Sequence, residues 1–171
     1  VIKKMAAKQI LLGVSNTAFA PKQKVSRAEL ASLITRTLNI QASEPAVFKD
    51  VDPAKWYAAS IAAAYEAGIV TGRGADSFAP DETVSREEMA VMIYKAYLFQ
   101  TGQIAAGGQA SDFKDRHRIS SWAADAVGAA QELGFISGRG NHLFMPHEQV
   151  NRAESAQVIS LLMEKIEKQE K

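Results

Sequence analysis

The chain repeats itself, which restricts it to folds assembled from copies of one unit. Phe19-Ala20-Pro21 returns as Phe78-Ala79-Pro80 and again as Phe144-Met145-Pro146, at offsets of 59 and 66 residues. The same offsets hold without gaps for Val25-Ser26-Arg27-Ala28-Glu29, Val84-Ser85-Arg86-Glu87-Glu88 and Val150-Asn151-Arg152-Ala153-Glu154. They also hold upstream for Gly13, Gly72 and Gly138. Further upstream, Phe48-Lys49-Asp50 matches Phe113-Lys114-Asp115, and Trp56 matches Trp122 with one residue inserted between the two motifs. The first copy has no Phe-x-Asp and no Trp, so it is expected to lack its opening third. The copies divide the chain into residues 1–42, 43–105 and 106–171, expected to form one compact module.

Each full copy has one layout. An extended Phe-Lys-Asp segment leads into a helix carrying the Trp, which the pattern places at residues 53–67 in the second copy. Asp52 is its expected N-cap and Pro53 its first helical residue. Gly68 and Gly134 are expected as left-handed residues just past the helix end. An apolar pair and a glycine turn follow, then the Phe-x-Pro segment crosses to a second helix. That helix opens on a capping box, Ser26-x-x-Glu29, Ser85-x-x-Glu88 or Asn151-x-x-Glu154, with Val25, Val84 or Val150 placed as a hydrophobic staple. Apolar residues then recur at helical spacing, among them Leu30, Ile34 and Leu38; Met89, Ile93 and Ala96; and Val158, Ile159 and Leu162. Residues 41–46 and 101–111, the latter with Gly102, Gly107 and Gly108, read as linkers between copies. The opening residues 1–5 read as part of an amphipathic helix, and the charged residues 164–171 as a fraying helix end. The expected fold is mainly α, built from helix–turn–helix repeats.

Composition removes several function classes. The 20 Lys and Arg nearly balance 19 Asp and Glu, for a net charge of +1, which argues against bulk nucleic-acid binding. Cysteine is absent, which excludes disulfides, Cys-zinc sites, iron–sulfur clusters and a thiol nucleophile. No apolar run is long enough to span a membrane, and no apolar stretch of signal-peptide type follows residues 1–5. His117, His142 and His147 lack metal-ligand spacing and read as loop residues. No cofactor is expected.

The order Phe-x-Asp, Trp, Gly-Ile-x-x-Gly, Phe-x-Pro, Val-Ser/Asn-Arg-x-Glu closely resembles the S-layer homology domain. The last motif looks like that family's Thr-Arg-Ala-Glu box with Ser or Asn in place of Thr, and three tandem copies is the family's usual number. The resemblance covers nearly the whole chain apart from linkers and tail. Two departures are the missing opening of copy one and its Gly13-Val14-Ser15, where the others read Gly-Arg-Gly. The resemblance implies three repeats around a pseudo-threefold axis, with a central helical bundle and three lobes. It implies anchoring of S-layer proteins or surface enzymes to Gram-positive cell walls. Grooves between lobes would bind secondary cell wall polysaccharide through pyruvylated N-acetylmannosamine.

The residues offer their own chemistry beside that resemblance. Arg27, Arg86 and Arg152 stand at helix starts, where free N–H groups and the helix dipole favour an anion. The planar Arg fork matches a carboxylate, here a pyruvyl ketal, and the competing reading is a salt bridge to a nearby acid. Trp56 and Trp122 can be core, or partly exposed so as to stack on a sugar ring and donate an indole hydrogen bond. Asp50 and Asp115 can accept from sugar hydroxyls, or equally from backbone N–H groups or a neighbouring Arg. Gly72-Arg73-Gly74 and Gly138-Arg139-Gly140 read as a tight turn needing positive φ, or as close backbone approach to a ligand with Arg as a second charge. Glu29, Glu88 and Glu154 are assigned to capping.

These readings converge on a non-catalytic module. The expected grooves join Arg27 with Asp50, Trp56 and Arg73, and Arg86 with Asp115, Trp122 and Arg139. Arg152 would face the missing opening of copy one. The expected partners are wall polysaccharide and a fused surface cargo outside this chain, with no nucleic acid and no membrane span. The alternatives are a helical-repeat protein-interaction module and a small glycan-active enzyme using paired carboxylates. The enzyme reading is weakened because the acids recur in register.

Overall fold

The computed structural model describes residues 20–105 and 111–169. The expectations for residues 1–5, Gly13, Val14, Ser15, Phe19, Gly107 and Gly108 lie outside the described residues. Five α-helices are described: α1 (Arg27–Leu38), α2 (Ala58–Glu66), α3 (Arg86–Thr101), α4 (Ala124–Glu132) and α5 (Arg152–Gln169), with short 3-10 turns at Arg116–Arg118 and Gly140–His142. The mainly helical reading holds.

The second helix of each copy starts where its capping box says. Ser26 accepts from the Glu29 amide while the Glu29 carboxylate accepts from the Ser26 amide, and Ser85 with Glu88 does the same. Asn151 and Glu154 repeat the exchange at 2.9 and 3.0 Å. These three helices, α1, α3 and α5, each pack against the other two and form the central bundle. Ile34, Ile93 and Ile159 stand in register on them, and all three are fully buried. The first helices of copies two and three lie outside: α2 packs on α1, and α4 on α3, so the second helices of copies one and two each carry the next copy's first.

The segments just before the bundle helices join the copies. The Val25 amide donates to the Val150 carbonyl, Val84 to Val25, and Val150 to Val84, at 3.0–3.1 Å. A second set runs around the copies in the opposite direction, with the Arg27 amide donating to the Glu82 carbonyl, Arg86 to Glu148 and Arg152 to Gln23. The contacts therefore close into a ring, the connectivity that a pseudo-threefold arrangement requires. The three valines are buried in it, so the staple residues also seal the ring from water.

Two local expectations change. The first helix of copy two begins at Ala58 rather than Pro53. Residues 53–57 form tight turns instead, in which the Asp52 side chain accepts from the Ala54 amide and the Lys55 carbonyl accepts from the Ala58 amide. Those turns put Tyr57 into the core and turn Trp56 outward. Positive φ is absent from the Gly-Arg-Gly turns. It occurs at Gly68 and Gly134, as expected past a helix end, and at the non-glycine residues Ala20, Ala79 and Met145, the middle of every Phe-x-Pro. In copy three Asn141 and His142 take it as well. Gly72 is required for space rather than for φ, because an added Cβ would lie 2.7 Å from two carbonyl oxygens and 2.9 Å from the Phe48 ring.

Candidate functional site

The arginines behind the capping boxes serve as clamps between copies. Arg27 Nε donates to the Phe78 carbonyl at 2.9 Å, Nη2 to the Thr71 carbonyl at 2.9 Å, and Nη1 to Glu88 at 2.8 Å. Its guanidinium lies over the Phe78 ring, 4.6 Å from the centroid. Arg86 repeats this on copy three, with the Phe144 carbonyl at 2.7 Å, the Ser137 carbonyl at 3.0 Å and Glu154 at 3.0 Å. Arg152 meets Glu29 of copy one at 3.5 Å. All three arginines are buried. Of the two readings of these residues, the salt bridge is therefore the one the geometry realises. The anion-site expectation is corrected for Arg27 and Arg86, because each fork already grips two carbonyls and a carboxylate of the next copy. Burial lowers the pKa of both, partly offset by Glu88 and Glu154 respectively.

Each clamp glutamate is shared. Glu88 holds its cap amide, Arg27 and Arg73; Glu154 holds its cap amide, Arg86 and Arg139. Burial pushes both carboxyls up, but the amide and guanidinium partners outweigh it and hold them below the ordinary carboxylate value. Arg73 and Arg139 are about one-third exposed, and each also reaches an acid on the Phe-x-Pro side, Glu82 and Glu148.

Asp50 and Asp115 are braces. Asp50 accepts from the Phe78 and Ala79 amides at 2.8 and 2.7 Å and from the Ser77 hydroxyl at 2.8 Å. Asp115 accepts from the Phe144 and Met145 amides at 2.7 and 2.8 Å. They fix the left-handed Phe-x-Pro middle residue, which is the backbone reading of the two left open for them. Burial raises the Asp115 carboxyl, but the two amides outweigh it, and its pKa lies below the ordinary 3.8. A depressed carboxyl stabilises the fold above the unfolded-state pKa, and that contribution is lost as the pH falls through the folded value. Asp115→Ala is expected to cost about 2 kcal/mol at neutral pH. Its stability should also fall less steeply than that of the parent as the pH is lowered below the ordinary carboxylate value, as read by urea melts at successive pH values.

The candidate site is a groove of about 910 Å³ between α3 and α4, also touched by the glycine turn of copy two. Trp122, Gly72, Arg73, Lys95, Tyr94, Asp125 and His147 line it, with Arg27 and Glu88 also at its wall. Trp122 is 60% exposed, as is Trp56, so both leave an indole face in solvent. Among the described residues Lys95 has no ion-pair or hydrogen-bond partner. The groove thus offers a flat apolar face, an ammonium and the one-third-exposed Arg73 guanidinium, with Asp125 as an acceptor.

A related groove of about 850 Å³ lies between α1 and α2, lined by Thr35, Arg36, Asn39, Ala59 and Ser60 among others. Those positions match Tyr94, Lys95, Leu98, Asp125 and Ala126 at the repeat offsets.

The structure thus brings Arg27, Gly72, Arg73 and Trp122 together. Trp122 was expected beside Arg86 and Arg139 but sits one copy earlier, because the turn that carries it leads into α4, and α4 packs on α3 of copy two. Gly74, Gly138, Arg139, Gly140, Arg152 and Trp56 lie outside this groove. Lys95 was missed, although Arg36 in register with it was the available signal.

The sequence matches the S-layer homology domain over residues 1–31, 47–90 and 112–156. The chain belongs to this family. It is 37% identical to an amylopullulanase of Thermoanaerobacterium thermosulfurigenes over 96% of this chain and 9% of that protein. It is 31% identical to the surface-layer 125 kDa protein of Lysinibacillus sphaericus over 92% of this chain and 13% of that protein. The S-layer protein sap of Bacillus anthracis is 30% identical over 93% of this chain and 19% of its own length. The chain therefore spans less than a fifth of each of these relatives.

Proposed function

We propose that the chain is a non-catalytic module that anchors a surface-layer protein or surface enzyme to the wall of a Gram-positive-type bacterium. Its ligand is secondary cell wall polysaccharide carrying pyruvylated N-acetylmannosamine. The observation that carries this reading is the α3–α4 groove, where exposed Trp122 stands beside Arg73 and the unpartnered Lys95. A sugar ring stacks on the indole, and the pyruvyl carboxylate lies against the cations. The in-register groove with Arg36 adds a second contact to the same polymer, and two weak sites on one repetitive ligand hold it through effective concentration. The recurring acids support non-catalytic use, because Glu29, Glu88 and Glu154 are occupied by caps and clamps.

Isothermal calorimetry with purified wall polysaccharide tests this. Trp122→Ala and Lys95→Ala are each expected to weaken binding by about 1–2 kcal/mol, roughly tenfold in Kd, with the melting temperature kept. Removing the pyruvyl groups should weaken the parent protein at least as much. Equal binding to stripped polymer would remove the carboxylate from the reading, and no binding to either form would remove the anchoring role.

A further inference from the structure

Glu87 breaks the repeat. Its register partners are Ala28 and Ala153, and only in copy two is a carboxylate found there. It is 4% exposed, a costly place for a charge without partners. Its Oε2 accepts from the Ser120 amide at 2.9 Å, its Oε1 accepts from the Ser120 hydroxyl at 2.9 Å, and His147 Nδ1 lies 3.4 Å from Oε1. All three partners belong to copy three. Ser120 stands two residues before Trp122, and the Ser120 carbonyl accepts from the Ala123 amide, which closes the turn that carries the Trp. Glu87, Trp122 and His147 all line the α3–α4 groove. The α1–α2 groove lacks both halves of this contact, since Ala28 and Ala54 take the places of Glu87 and Ser120 at the repeat offsets.

We propose that Glu87 is a positioning residue for the α3–α4 groove: its carboxylate holds the Ser120 turn, and through it the Trp122 indole, by a contact between copies, whereas the matching Ala54 amide before Trp56 is held only from within its own turn, by Asp52. Bridging two copies, it orders the stacking face before ligand arrives. This removes an ordering cost from binding at the α3–α4 groove. The inference rests on the proposed glycan role only for its binding consequence; the fixing of Trp122 stands apart from any ligand.

The chain has two tryptophans, so Trp56→Phe leaves Trp122 as the sole indole reporter. In that background, Glu87→Ala should lower the steady-state fluorescence anisotropy of Trp122 and raise its acrylamide quenching. Glu87→Gln, whose single amide oxygen still accepts from the Ser120 amide, should restore both part of the way toward the parent. With pyruvylated wall polysaccharide, Glu87→Ala should weaken binding about three- to tenfold, the ordering cost of one side chain, and Glu87→Gln should recover part of it. Unchanged anisotropy and quenching in Glu87→Ala overturns the proposal. If that variant loses its helical circular dichroism, Ser120→Ala decides, and its unchanged fluorescence is equally fatal. If no variant or parent binds polymer while the fluorescence behaves as expected, the anchoring role fails and the positioning role stands.

Discussion

Arg86→Ala is expected to lower stability by about 3 kcal/mol, near 10 °C in melting temperature for a chain of this size. The change leaves the Phe144 and Ser137 carbonyls without their donor and uncovers the Phe144 ring. It also leaves Glu154 with its cap amide and Arg139 alone. Arg86→Lys should fall between, because an ammonium supplies charge but cannot span two carbonyls and a carboxylate at once. The measurement is a denaturant melt followed by circular dichroism, beside a polysaccharide-binding isotherm at a temperature where both proteins are folded. A variant that melts like the parent yet loses polysaccharide would reverse the assignment and make Arg86 a ligand residue. Arg27→Ala should behave similarly, with Arg73 remaining on Glu88.

The glycine turns give the second large effect. Gly72→Ala is expected to destabilise by about 3 kcal/mol, because the new methyl would press on two backbone oxygens, which cannot swing aside as a side chain would. Gly138→Ala should cost nearer 1 kcal/mol, since its closest contacts are 3.2–3.4 Å. Gly74→Ala and Gly140→Ala meet nothing within 4 Å and should be close to neutral. Thermal melts of the four variants would show the order. A neutral Gly72→Ala would mean that the turn re-forms in another path, and the groove wall it builds would then be less fixed than described.

The sequence was most informative where a local rule applied. The bundle helices begin at Arg27, Arg86 and Arg152, each directly after a capping residue whose Glu partner stands three positions on. That signal is complete within five residues and needs no knowledge of the fold. Asp52-Pro53 suits a turn as well as a helix start, and only the burial of Tyr57 decides between them, so the Trp-bearing helix begins five residues later than that pair suggests. The clamps were harder still. Arg27 meets Glu88 across 61 positions, and Glu88 already had a sufficient local role as a cap. Periodicity shows that copies are equivalent, but it is the same whichever neighbour a residue faces. The repeat pattern therefore fits Trp122 to Arg139 as well as to Arg73, and fits Asp50 and Asp115 to sugar and backbone alike.

The ring of valine hydrogen bonds sets how many copies can exist. An open stack of repeats can lengthen by one unit at either end, with its terminal faces left as edges. Here each copy's donor is already taken by one neighbour and its acceptor by the other, so a fourth copy would have nowhere to attach. Deleting one copy would break two junctions instead of one and leave an unpaired donor and an unpaired acceptor. The arrangement is therefore all-or-none in its copy number, and among the described residues it presents no strand edge through which neighbouring modules on a crowded surface could join.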